Sequence, residues 1–163
     1  MNYHNITMDD MLNGDGLRTV LWVAGCDHHC EGCHNPITWD SSGGIPFDDN
    51  AKKELFNNLS KDYISGITFS GGDPLFFSNI RPITLLAKEI KEKFPDKTIW
   101  LYTGYIYEAV QDLDIMKYID VLVDGEFVKE QHNPKLLWRG SENQRVIDIQ
   151  DTIKLGKIVL HKT

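Results

Sequence analysis

Four short apolar runs, each followed at once by a glycine-rich or polar turn, govern the fold open to this chain. They lie at residues 18–24, 66–70, 98–102 and 119–123 and read as β-strands. Between them the apolar positions switch to helical spacing. Ala51, Leu55 and Leu59 recur every fourth residue behind Asp48 or Asp49, either of which suits an N-cap, so a helix is predicted to about Ser60. Ile80, Ile83, Ala87, Ile90 and Phe94 mark a second helix, stopped by Pro95-Asp96, and Ile106, Ala109, Val110, Leu113 and Met116 mark a third. The tail from Phe127 is less periodic, although 145–149 reads as a further short strand.

Strands joined through helices imply right-handed crossovers and a mostly parallel sheet, an α/β architecture. Four strands are too few to close an eight-stranded barrel, which leaves a partial barrel or an open doubly wound sheet. In either, ligands collect where the strands end. The segments beginning at Cys26, Gly71, Thr103 and Asp124 each follow directly on a predicted strand, which places all four at one site.

Other properties narrow the class. A length of 163 residues fits one domain, 1–163. A formal charge of −7 argues against broad phosphate-backbone contact, so no direct nucleic-acid partner is expected. The opening residues lack the basic start and apolar core of a secretory signal. No apolar run approaches the roughly 18 residues of a membrane helix. A cytoplasmic protein with no membrane partner is expected.

The chain has three cysteines, all in the segment Gly25-Cys26-Asp27-His28-His29-Cys30-Glu31-Gly32-Cys33-His34-Asn35. An odd, tight triplet is not a disulfide framework; Cys26, Cys30 and Cys33 read as metal ligands. A C-x3-C-x2-C loop can wrap three thiolates around a cubic [4Fe–4S] cluster, leaving one iron open to a small chelator with an amine and a carboxylate. Zinc is the rival, with His28, His29 or His34 as fourth ligand. Outside that role His28 and His29 read as loop residues. Gly71-Gly72 permits close backbone approach to a ligand, or serves a plain turn before Pro74. Thr103-Gly104 and Asp124-Gly125 are also turn signals in their own right. Asp15 and Arg18 read as a turn and an ion pair leading toward the site, and Trp22, Phe69 and Trp100 as core.

Taken together, the cysteine loop and Ser70-Gly71-Gly72-Asp73-Pro74 resemble the radical S-adenosylmethionine (SAM) superfamily. Asp15-Gly16-Leu17-Arg18, Thr103-Gly104-Tyr105, Val123-Asp124-Gly125-Glu126-Phe127 and residues 138–145 are similar, in order, to its activators of anaerobic ribonucleoside-triphosphate reductase. The superfamily's second motif often ends in Glu where this chain has Asp73. The resemblance implies a short partial barrel of radical SAM type, with SAM chelating the open iron through its amino and carboxylate groups. It implies a 5′-deoxyadenosyl radical that takes hydrogen from a glycine of the reductase, and no catalytic side chain beyond cluster and SAM. The implied SAM contacts are Gly32, Cys33 and His34 at the adenine, Gly71, Gly72 and Asp73 at the methionine amine, and Thr103 and Asp124 at the ribose or sulfonium. Arg139, Asn143 and Arg145 would hold the SAM carboxylate or the partner. The implied partners are the reductase and a reduced carrier such as flavodoxin. Activation of another glycyl-radical enzyme, or a non-catalytic zinc-binding interaction module, stands as the alternative.

Overall fold

Each of the four expected strands forms, as does the further short one expected near 145–149, and two more strands extend the sheet at its opposite edge. A computed structural model describes residues 1–162. In chain order the elements are β1 (Asn2–Asp10), β2 (Arg18–Val23), β3 (Ile45–Pro46), α1 (Asp49–Leu59), β4 (Gly66–Gly71), α2 (Ile80–Lys93), β5 (Thr98–Tyr102), α3 (Tyr107–Val110), β6 (Val121–Asp124), β7 (Arg145–Asp148) and α4 (Ile149–Leu155). They make one seven-stranded sheet of order β3-β1-β2-β4-β5-β6-β7. The four central strands are parallel. The edges are antiparallel: β1 runs against β2 and β3, and β7 against β6. The sheet is therefore parallel in its middle and mixed as a whole.

The helices begin and pack for local reasons. Asp48 caps α1, its Oδ1 accepting from the Ala51 amide at 2.9 Å. Leu55 and Leu59 of α1 and Ile83 and Ile90 of α2 are fully buried with Leu21, Val23, Ile67, Phe69, Ile99, Leu101 and Leu122 of the central strands in a single core. Burying one such side chain contributes about 1.5–3 kcal/mol. Successive strand residues alternate faces, so Trp22, Thr68, Trp100 and Tyr102 turn to the opposite face. A smaller cluster there joins Trp100, Val121 and Val123 to Tyr102, Trp138 and Val146. The third expected helix is only the single turn α3 followed by a 3-10 turn, Asp114–Lys117.

At the N-terminal ends of the parallel strands sits Arg18, wholly buried. It is not paired with the Asp15 carboxylate as expected; it takes the Asp15 carbonyl instead. Its other N–H groups donate to the Thr68 and Thr98 hydroxyls and to the carbonyls of Ile67 and Thr98, all at 2.8–2.9 Å. Burial lowers its pKa to about 10. Asp15 instead meets His161 at 2.6 Å, clasping the C-terminal tail to the β1–β2 loop. Arg18 thus braces the sheet at the end away from the cysteine loop.

Candidate metal centre

The loops that leave β2, β4, β5 and β6 meet around a cavity of about 620 Å³. Cys26, Cys30 and Cys33 line it, as do His34, Gly71, Gly72, Asp73, Thr103 and Arg139. All three thiols are free and half-buried. Burial pushes the Cys26 thiol up to about 11 and raises that of Cys30. Backbone amides work in the other direction: those of His28 and His29 favour the Cys26 thiolate, and that of Phe127 favours Cys30. The Asn35 amide donates to the Cys33 sulfur at 3.4 Å. Amides aimed at sulfur are among the means by which proteins tune iron–sulfur centres, and a bound metal deprotonates its thiols outright. The donor set therefore suits a thiolate-held cluster.

It suits zinc less well. A tetrahedral zinc on three thiolates needs a fourth protein ligand. A cube spreads its thiolates over separate irons. The three candidate histidines are also engaged elsewhere. His29 stacks on Trp39 at 4.5 Å, and His34 packs against Phe127 and His132. His28 turns inward to Asp73, 2.7 Å away.

Asp73 is the hub of this end of the sheet. It is 2% exposed, and its carboxylate accepts from the Leu75 amide, the Thr103 hydroxyl, the Gly104 amide and the His28 ring, all within 3.0 Å. These contacts fill the roughly four lone-pair positions a carboxylate offers. Asp73 and Thr103, expected to touch a cofactor, thus spend their side chains on each other and on neighbouring loops.

The double glycine also has an internal cause. Gly71 has φ +104°, and a Cβ there would stand 2.6 Å from Val23 backbone; one on Gly72 would stand 2.5 Å from the Gly25 carbonyl. The Gly72 and Asp73 amides donate to Val23 and Gly25. Close approach is required, as predicted, but between β4 and the start of the cysteine loop. Gly32, at φ +76°, permits the turn before Cys33 and faces Phe127.

The expected residues farther along the chain fall differently. Asp124 is buried and accepts from Arg145 and from the Tyr107 amide. Arg145 also reaches Glu108, so it closes a triad with Asp124 and Glu108. Asn143 holds the Glu126 carbonyl at 2.7 Å. Arg139 lies on the cavity wall while donating to the carbonyls of Glu142 and Gln144. Trp22, expected in the core, is half-buried on the cavity wall, its Nε1 donating to the Thr7 hydroxyl. Residue reading did not find His28 and Glu126. Glu126 Oε2 lies 3.6 Å from the Cys30 sulfur and Oε1 lies 3.7 Å from His28 Nδ1. The signal for Glu126 was its place beside Asp124-Gly125; His28 carried none beyond metal-ligand chemistry.

Comparison with known proteins agrees with this geometry. Residues 12–147 match the family described as 4Fe-4S single cluster domain. The anaerobic ribonucleoside-triphosphate reductase-activating protein of Enterobacteria phage T4 is 49% identical over 146 residues, covering 90% of this chain and 93% of the relative. Those of Haemophilus influenzae and Escherichia coli K12 are 43% and 41% identical, covering 88% and 90% of this chain and 96% and 97% of the relatives.

Proposed function

The chain belongs to the family of anaerobic ribonucleoside-triphosphate reductase-activating proteins and carries its 4Fe-4S single cluster domain, and from that premise we propose that it is a radical SAM activase of that reductase. The observation that carries the reading is the convergence of three free thiols and the Gly71–Asp73 and Thr103 loops on one cavity at the strand ends. Cluster and SAM, when bound, supply a 5′-deoxyadenosyl radical able to take a hydrogen atom from a glycine Cα. The protein's part is to hold, orient and shield.

Cys26, Cys30 and Cys33 hold the cluster. An incoming methionine amine, itself a donor, meets carbonyl oxygens at Gly71 and Gly72, because the Gly72 and Asp73 amides are already bonded. Phe127 and His34, packed side by side next to Cys33, give the adenine an aromatic wall. Asp73, Thr103 and Asp124 act one step back, fixing the loops that present these groups.

A partial barrel of radical SAM type is supported by the sheet order. β2, β4, β5 and β6 follow one another in a single direction, so right-handed crossovers lay every helix between them on the same face. A doubly wound sheet reverses direction and carries helices on both faces. A cavity that opens at the strand ends suits a substrate that is a loop of another protein. No helix among the described residues is long and apolar enough to cross a membrane; a cytoplasmic activase drawing electrons from a reduced carrier such as flavodoxin completes the proposal.

The test is anaerobic iron–sulfur reconstitution, then electron paramagnetic resonance of the reduced protein with and without SAM, then incubation with the reductase. A [4Fe–4S] signal that shifts with SAM, followed by a glycyl radical on the reductase, is expected. Alanine at any of the three cysteines should abolish both. A SAM-responsive cluster that leaves the reductase radical-free would sink the partner assignment, and full SAM cleavage by a single cysteine variant would sink the ligand assignment.

A further inference from the structure

We infer that His28 is a positioning residue that locks the cysteine loop to the ends of β4 and β5 and so sets where the cluster stands relative to the SAM-binding loops. The inference rests on the activase reading above and adds a residue to it.

Three observations meet at this side chain. First, His28 lies between two of the proposed ligands, Cys26 and Cys30, yet its ring is 10% exposed and points into the protein. Its Nε2 is 2.7 Å from Asp73 Oδ2, and the same oxygen accepts from the Gly104 amide. Second, the space for the ring is made by the absence of another side chain. A Cβ on Gly104 would come within 2.5–2.7 Å of three His28 ring atoms. Tyr105 then closes the ring edge-on at 4.7 Å. Third, apart from the Asp73 amide on the Gly25 carbonyl at the start of the loop, the Phe127 amide on the Cys30 sulfur and the packing of His34 at its end, the other ties of the loop are local or exposed. His29 stacks on Trp39, ten residues on, and Glu31 meets Lys129 at 3.6 Å with both side chains largely in solvent. The Gly25 and Cys26 amides bond Thr38 and Trp39, within the same excursion. The Cys30 sulfur reaches Glu126, which is itself exposed.

The consequence is a coupling of two functions through one carboxylate. Asp73 follows the double glycine proposed to receive the methionine amine, and through His28 it also grips the segment that carries the thiols. Asp in place of Glu makes sense here. The shorter side chain sits within hydrogen-bond reach of the Gly104 and Leu75 amides, Thr103 and His28 together. Cluster position and SAM position are then set against one common point, with His28 as the link.

The test compares His28→Ala and His28→Gln with the wild type, since the Gln amide can still donate to Asp73. In metal-free protein, hydrogen exchange at residues 27–33 should speed up at least about tenfold in His28→Ala, while the core strands keep wild-type protection. After reconstitution, His28→Ala should retain iron, because all three thiols remain. The SAM-induced change in its resonance spectrum should require about tenfold more SAM, the scale of one lost charge-assisted hydrogen bond. His28→Gln should recover most of both. Wild-type exchange and SAM response in His28→Ala would overturn the inference, and so would a uniform loss of protection across the whole molecule in both variants, which would make His28 a fold residue. If wild-type protein itself gives no SAM-dependent signal, the activase reading fails, while the exchange data still decide whether His28 holds the loop.

Discussion

Strands β2, β4 and β5 are tied by a buried charge at each end of the sheet. Arg18, at the N-terminal end, places all five of its N–H groups on oxygens of the β1–β2 loop and of the starts of β4 and β5. Asp73, at the C-terminal end, fills its oxygens with donors from its own loop, from Thr103-Gly104 and from the cysteine loop. Both are almost without exposure. Burial and saturation therefore do not separate a site from a brace. What separates them is strand direction: the cavity at the C-terminal ends is the larger, about 620 Å³ against about 350 Å³ at the N-terminal ends, and only there does the hub touch a loop that carries thiols.

The contrast can be broken by experiment. Arg18→Ala removes a buried cation and strands its acceptors, so it should cost the most, about 3–5 kcal/mol in denaturant unfolding of the metal-free protein. A loss below about 1 kcal/mol would mean that the N-terminal end needs no brace. Asp73→Glu keeps the charge but forces a methylene into a filled pocket. It should cost about 1–3 kcal/mol and, unlike Arg18→Ala in any refolded fraction, weaken the SAM-induced change in the spectrum of the reduced cluster. Equal SAM responses in both variants would erase the distinction between the two ends.

The smallest effect belongs to an exposed pair used as a reference. Arg145 holds the Glu108 carboxyl below its usual range. That stabilisation is complete above the ordinary carboxylate range and vanishes as pH falls through the lowered value. Glu108 is half-exposed, so after solvent screening Glu108→Gln should cost only about 0.5 kcal/mol near neutral pH. The difference should close on acidification, as a pH series of melting curves would show.

Much of the fold was legible in residue order. The central strands are continuous apolar runs because both of their faces are covered, and their ends lie within two residues of those expected. β1 was not legible. It is Asn2–Asp10, mostly polar, with only Tyr3 and Ile6 buried and two register irregularities against β2, so no clean alternation survives. The third helix was overread: Leu113 and Met116 keep helical spacing, but the chain passes through a 3-10 turn there. At the site, the cysteines and the strand-end segments announced themselves through local spacing. The partners did not. His28 meets Asp73 across 45 positions, and Arg145 meets Asp124 across 21, distances at which residue spacing carries no signal.

The cavity wall draws on loops from both halves of the chain, from Leu12 to Gln144. During synthesis the three cysteines emerge early, whereas Phe127, Arg139 and Gln144 follow only after most of the remaining chain has been made. At ordinary elongation rates that gap is roughly 5–20 s. Through that interval the thiols sit on a nascent chain whose enclosing wall does not yet exist. A metal centre on these thiols is therefore a late product of biogenesis, because the wall that encloses it is completed only from the last third of the chain.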